Sequence, residues 1–123
     1  MCRMLLSINP EYVDRIFNGS KRFEFRKTKN RKEVDTIVIY ETAPVMKVVG
    51  EAQVQCILLD TPNAIWDKTS SHSGISKDFF DSYFKGRDCA VAYKLGEVTK
   101  YECPVSLLDL GIRSAPQSFI YLS

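Results

Sequence analysis

Three side chains able to do polar chemistry together stand in one short segment, GSKRFEFRK (19–27): Lys21, Glu24 and Arg26. Phe23 and Phe25 alternate with Glu24 and Arg26, the period of a half-buried strand. With the phenylalanines turned inward, Glu24 and Arg26 share the opposite face. A carboxylate and a guanidinium side by side can pair, or can jointly read a ligand's donors and acceptors. Lys21 stands just before the strand. Its ammonium suits the C-terminal end of a preceding helix, where the dipole favours a cation. In a site it would contact phosphate or, desolvated, act as a base.

Charge gathers around the same segment. Residues 14–33 carry eight bases against three acids, while the whole chain is only +2, so the remainder is net negative. That asymmetry points to an anionic partner for one face. Lys27, Lys29, Arg31 and Lys32 lie in a polar stretch suited to tracking phosphates. Other chemistries find little support. Nucleophile elbows, Walker loops and dinucleotide glycine fingerprints are missing. His72, the one histidine, sits in SSHSG and reads as a surface loop residue, not a base. Cys2, Cys56, Cys89 and Cys103 are widely spaced and form no zinc set. Cys56 and Cys89 fall in apolar runs and read as small buried hydrophobes, with thiols kept reduced in a cytoplasmic protein. No cofactor or metal is called for.

The flanking elements must hold these residues in place. MLLSI (4–8) reads as a short buried strand. NPEYVDRIFNG follows as a helix, with Asn9 as N-cap, Pro10 at the first helical position and Gly19 just past the end. Tyr12, Val13, Ile16 and Phe17 share one face. TKNRKEVD is a polar loop, TIVIYE (36–41) a central strand and APVMK a turn. VVGEAQVQCILL (48–59) is a long strand with Gly50 as a bulge. Thr61 and Pro62 open one short helix. Ser76 opens another over ISKDFFDSYFKG, with Ile75 stapled to Phe80 and Gly86 ending it. DCAVAYKL and TKYECPV flank Gly96-Glu97, which reads as a hairpin. SLLDLG makes one helical turn and SFIYL a closing strand.

Six or seven strands with short helices inserted irregularly argue against a doubly wound parallel sheet. The fold class expected is α+β: a small, mostly antiparallel β-barrel of about six strands with peripheral short helices, one domain over 1–123. A chain of 123 residues, 45% apolar and 26% charged, can bury a core without staples. No apolar run approaches the roughly 18 residues of a membrane span. Nothing after MCRMLLSINP looks like a signal-peptide cleavage site. The expectation is a cytoplasmic protein with no membrane partner.

Gly19, Lys21, Glu24 and Arg26 form G-x-K-x-x-E-x-R, which resembles the signature of the ASCH domain, a relative of the PUA RNA-binding fold. The likeness covers nearly the whole chain. LLSINPEYVDRIFNG resembles the family's opening strand and helix, IVIYETAPVMKVVGEAQV its next two strands, and APQSFIYL the close of small stand-alone members. The resemblance implies a six-stranded PUA-like barrel with a cleft beside the first helix, lined by Lys21, Glu24 and Arg26, where the family is proposed to bind RNA. Ser7, at the strand end entering that cleft, and Tyr40 and Thr42, at the exit of the next strand, join the candidate contacts. Some ASCH-like proteins are amidohydrolases acting on acylated cytidine through a lysine, a threonine and a separate glutamate. Here Lys21 matches the lysine, Glu24 replaces the threonine, and Asp78 is the one candidate for the third role.

The favoured reading is therefore a binding module for single-stranded RNA or a nucleotide-like ligand, with a regulatory use open. Arg26 and Lys21 would take phosphate or base acceptors, and Glu24 would accept from base amino groups or orient Arg26. Tyr12, Tyr40 or Trp66 would stack on bases, although core packing is favoured for Trp66. The alternative is a small hydrolase acting on an acylated cytidine or on RNA, with Lys21 as base or electrostatic stabiliser and Glu24 as its partner. A carboxylate beside a lysine also holds it charged and weakens it as a base. A third reading, a module whose basic face meets an acidic protein, finds no docking helix or heptad.

Overall fold

A computed structural model describes residues 2–29, 31–117 and 119–122; Asn30 in the expected loop and Ser118 at the start of the expected closing strand lie outside them. The elements run β1 (Arg3–Ile8), α1 (Pro10–Asn18), β2 (Phe23–Arg26), β3 (Thr36–Glu41), β4 (Lys47–Asp60), α2 (Pro62–Thr69), α3 (Lys77–Tyr83), β5 (Ala90–Val105) and β6 (Phe119–Tyr121). Short 3₁₀ turns occupy Ser70–His72 and Leu108–Leu110. The strands form one mixed sheet in the order β2-β5-β4-β3-β1-β6. β1 and β3 are parallel, joined through α1 and β2, and the other pairs are antiparallel. The sheet curls into a half-barrel with three short helices, an α+β fold. Its outer strands β2 and β6 pair with no further strand among the described residues, so the barrel is not closed by its ladders.

The sheet is covered on both faces, which is why β3 reads apolar nearly throughout. Ile37 and Ile39 enter a core with Met4, Leu6, Val91 and Tyr93. Val38 and Tyr40 enter another with Leu5 and Val48, against Val105, Leu107 and Leu122. Phe23, Phe25, Ile65, Phe80 and Phe84 form a third cluster, seating α2 and α3 on β2 and β5. Each large side chain so buried contributes about 1.5–3 kcal/mol.

The helix ends follow from local chemistry. Pro10 opens α1, and Gly19 ends it at φ +87°. Asn9 departs from expectation: its side chain makes no cap hydrogen bond, and its Oδ1 instead accepts from Thr42 Oγ1 at 3.3 Å. That contact ties the β3–β4 turn to the start of the helix. Thr61 and Ser76 do cap, accepting from the N–H groups of Ala64 and Phe79. Gly50 lies at a bulge, where β4 carries one residue more than β3. A Cβ there would collide with the Thr99 carbonyl and stand 2.8 Å from the Phe17 ring, so α1 packs closely over a bare backbone.

Two expectations about strands are corrected. Gly96-Glu97 is not a hairpin: β5 runs through it, with Leu95 opposite Val54 and Val98 opposite Ala52. β5 carries the extra residue there, and a Cβ on Gly96 would crowd Gln55 at 2.9 Å, so the glycine marks an irregularity inside a long strand. Cys56 and Cys89 are exposed. The alternation that would bury Cys56 with Ala52 and Val54 breaks at a register shift between Val54 and Cys56. Cys89 precedes β5 in a loop. No helix among the described residues is long and apolar enough to cross a membrane.

Candidate functional site

Among the described residues, β6 pairs with β1 from Met4 to Leu6, and β2 pairs with β5 alone. Between the free end of β1 and the free edge of β2 lies a cleft of about 200 Å³. Its lining comes from β1 and the start of α1 (Ser7, Ile8, Asn9, Tyr12), from the α1–β2 segment (Lys21, Glu24, Phe25, Arg26), and from the approach to α3 and its face (Ile75, Phe79, Tyr83). The gap is bridged by side chain rather than by ladder: Arg26 Nη2 donates to the Ser7 carbonyl at 3.3 Å and to Glu24 Oε2 at 2.8 Å.

Gly19 turns the chain so that the Lys21 N–H donates to the Arg15 carbonyl at 3.0 Å. The backbone thus serves the helix end. The ammonium does not: it points to the cleft and donates to the Ser73 carbonyl at 2.9 Å. It stands 3.8 Å from Glu24 Oε1 and 4.9 Å from the centre of the Phe25 ring. Lys21 is only 3% exposed and Glu24 7%. Strand β2 is therefore covered on both faces and not half-buried, because α3 and the preceding loop close over it. Burial pushes the Lys21 pKa below 10.5; Glu24 opposes that shift, and Arg26 and Arg15 add to it.

The loop that receives Lys21 is strapped down from several sides. Arg15 Nη1 donates to the Gly74 carbonyl at 2.7 Å, and the Arg22 N–H to the His72 carbonyl at 2.8 Å. Ser73 Oγ donates to the Ile75 carbonyl at 3.0 Å. The strap delivers α3 so that Phe79 and Tyr83 face the cleft, while Phe80 and Phe84 face the core. The Phe79 and Tyr83 rings are parallel within 7°, and Tyr12 from α1 adds a third ring 5.5 Å from Phe79. Phe79 is 43% exposed, an open aromatic surface. Burial raises the Tyr83 pKa, and Arg26 acts against that rise.

Lys21, Glu24, Arg26 and Ser7 thus converge. Ser7 does so with its carbonyl occupied by Arg26, and its hydroxyl donates to the Pro116 carbonyl at 2.8 Å. Thr42 reaches the rim through Asn9. Lys27 lies over the Tyr83 ring at 4.9 Å, and Lys29 and Arg31 are exposed. Tyr40 is not brought to the cleft; it is buried beside Leu5, Val38 and Val48. Trp66 packs on Phe80 with ring centres 4.9 Å apart, as core packing requires. Asp78 and His72 are exposed and do not line the cleft. Phe79, Tyr83, Ile75, Asn9, Ile8 and Phe25 are the lining residues that sequence reasoning missed, Phe25 because its ring was assigned wholly to the core. The available signal was aromatics at 79, 80, 83 and 84, more than one core-facing stripe needs.

Lys21 makes stability depend on pH with a definite sign. Its folded pKa lies below 10.5, so between the two values the unfolded chain binds the extra proton and stability rises with pH. The gain of the parent protein over a Lys21→Met variant, read from urea midpoints, is expected to grow from neutral pH towards 10.5. A difference that stays flat or shrinks over that range contradicts the burial of a lysine that resists its charge.

Known proteins share this architecture. The chain superposes on a crystal structure of ASCH from Zymomonas mobilis with a TM-score of 0.89 at 28% identity, covering 98% of this chain and 87% of that one. It is 30% identical over 92 residues to a Zymomonas mobilis protein named ASCH domain-containing ribonuclease, covering 74% of this chain and 62% of that protein. It is 32% identical over 120 residues to a Ureaplasma parvum protein named large ribosomal subunit protein uL22, and there 97% of this chain spans only 39% of the relative's length. The ASCH domain family model matches residues 6–99, a span that includes the end of β1, α1, the Lys21–Arg26 segment and α3, and on that match the chain belongs to the ASCH domain family.

Proposed function

We propose that this ASCH domain binds single-stranded RNA and takes one unstacked nucleotide into the cleft. One observation carries the proposal: a charged floor of Lys21, Glu24 and Arg26 meets an aromatic wall of Tyr12, Phe79 and Tyr83 in a space of about 200 Å³. Bases in a duplex cannot reach such a wall, whereas splayed single-stranded bases stack on one for about 1–3 kcal/mol each. Both Lys21 and Arg26 line the cleft, and Arg26, with 18% of its side chain exposed against 2% for Lys21, is the more open of the two. Lys27, Lys29 and Arg31 extend a basic margin for phosphates. The family is RNA-related, and the name of the Zymomonas mobilis relative supports an RNA ligand. Free thiols at Cys2, Cys56, Cys89 and Cys103 suit a reducing compartment, the cytoplasm.

In fluorescence anisotropy with a labelled single-stranded RNA, affinity is expected to fall steeply as salt rises. Arg26→Ala is expected to lose on the order of tenfold or more, the worth of a hydrogen bond to a charged group. Phe79→Ala should lose a similar factor through stacking while the fold stays intact. No association at low salt, or an Arg26→Ala variant that binds as well as the parent, overturns the proposal.

A second reading, RNA cleavage, has its own support. Lys21 is buried with a lowered pKa, so more of it stands in the neutral form that can take a proton than for a surface lysine. In this reading Lys21 takes the proton of a ribose 2′-hydroxyl as that oxygen attacks the adjacent phosphorus; the bond to the 5′-oxygen breaks, that oxygen takes a proton from water, and a 2′,3′-cyclic phosphate remains. An RNA that remains intact on a gel after prolonged incubation ends this reading and leaves binding untouched.

A further inference from the structure

The floor of the cleft offers hydrogen-bonding groups in a fixed order. Glu24 stands between two cations: its Oε2 accepts from Arg26 Nη2 at 2.8 Å, and its Oε1 faces Lys21 Nζ at 3.8 Å, beyond hydrogen-bond length. An ionised carboxylate only accepts, and lysine and arginine only donate. Across the floor the order is donor, acceptor, donor. The three groups are held in place before any ligand arrives. Lys21 is pinned by the Ser73 carbonyl, Arg26 by the Ser7 carbonyl, and Glu24 by its position on β2 opposite Tyr93.

We infer, resting on the RNA-binding reading above, that the cleft selects uridine. The complement of donor–acceptor–donor is acceptor–donor–acceptor, and that is the imide edge of uracil: O4, N3–H and O2. Cytosine offers donor–acceptor–acceptor, guanine acceptor–donor–donor, and adenine only a donor beside an acceptor. Uracil alone satisfies all three floor groups at once. With cytosine or guanine at least one polar group of the base edge meets a like partner or none on the floor, and an unpaired polar group taken out of water is costly; adenine makes one contact fewer. The aromatic wall cannot make this distinction, because every base presents a π-face to it. Selectivity therefore resides in Lys21, Glu24 and Arg26, with the imide N–H on Glu24 and the two carbonyl oxygens on the flanking cations.

The test changes the ligand and leaves the protein untouched. Labelled oligouridylate, oligocytidylate and oligoadenylate of equal length are compared by anisotropy at one low salt concentration. A fourth strand carries N3-methyluridine, which removes the imide donor and keeps both carbonyls. Oligouridylate is expected to bind on the order of tenfold more tightly than the cytidine and adenosine strands, and N3-methylation to abolish that advantage. Equal affinity for all four strands overturns the uridine assignment while RNA binding stands. Oligouridylate and its N3-methyl form binding alike removes Glu24 from the recognition. No binding by any strand overturns the RNA-binding reading itself.

Discussion

Glu24→Gln is expected to cost about 3–5 kcal/mol of folding stability at neutral pH, the scale of stranding one member of a buried ion pair. The substitution is nearly isosteric, so packing changes little. What changes is that Lys21, 3% exposed and 3.8 Å from the carboxylate, loses its counter-charge. The lysine can escape by folding neutral. Its pKa is already lowered by burial, and without Glu24 the remaining neighbours, Arg26 and Arg15, lower it further. The penalty is therefore expected to shrink as pH rises towards 10.5, where the unfolded lysine also loses its proton. A double variant, Lys21→Met with Glu24→Gln, should recover most of the loss, because an apolar side chain of similar length needs no counter-ion. It should not recover all, since Arg26 also loses its 2.8 Å partner. Urea denaturation of the two variants and the parent measures each quantity. A Glu24→Gln penalty under about 1 kcal/mol would show that Lys21 and Glu24 are not energetically coupled.

Gly74→Ala should destabilise by about 2–4 kcal/mol, combining a disfavoured backbone with overpacking. Gly74 has φ +69°, and a Cβ there would overlap Lys21 Cβ and stand 2.5 Å from its Cγ and 2.9 Å from its Cα. These atoms are the rooted part of the lysine and cannot swing aside. The same residue's carbonyl holds Arg15 at 2.7 Å, so the strap cannot retreat without breaking that bond. Gly86→Ala is the matched control: φ is +77°, and nothing lies within 4 Å of its Cβ position. It should show the backbone penalty alone, about 1–2 kcal/mol. The strap also sets Ile75, Phe79 and Tyr83, so on the RNA-binding proposal Gly74→Ala should weaken binding under conditions where it remains folded. Equal midpoints for the two variants would mean that the strap yields freely to Lys21.

Much of this molecule could be read along the chain wherever one residue sets one local event. Pro10 and Gly19 bracket α1, Ser76 caps α3, and alternation in RFEFRK places Glu24 and Arg26 on one face. What stayed hidden depends on distant partners. The ladder of β5 decides what Gly96 does, and a register shift decides which way Cys56 points. Tyr40 stands beside Ser7 in the sheet register, yet its ring is committed to the opposite core. The aromatic wall was hardest to see: Phe79 and Tyr83 sit more than fifty residues from Lys21 and meet it only because the strap folds back. Even Lys21 carried a misleading local signal. Its place after a helix suggests an ammonium serving the dipole, and the backbone N–H serves that end instead.

The fastening between β1 and β2 has a mechanical consequence. A fully laddered barrel can widen only by tearing a row of backbone hydrogen bonds. Here, among the described residues, the direct link from β2 to β1 is a guanidinium contact, Arg26 to the Ser7 carbonyl, worth about 1.5–3 kcal/mol, and the Arg15–Gly74 and Tyr12–Phe79 contacts brace the same opening. Widening the mouth therefore requires side-chain contacts to part and no strand pair to lose its register. On the RNA-binding reading, a guest that takes an Arg26 donor competes with the Ser7 carbonyl for it, so the residue proposed to grip the ligand also bears on the bore of the vessel.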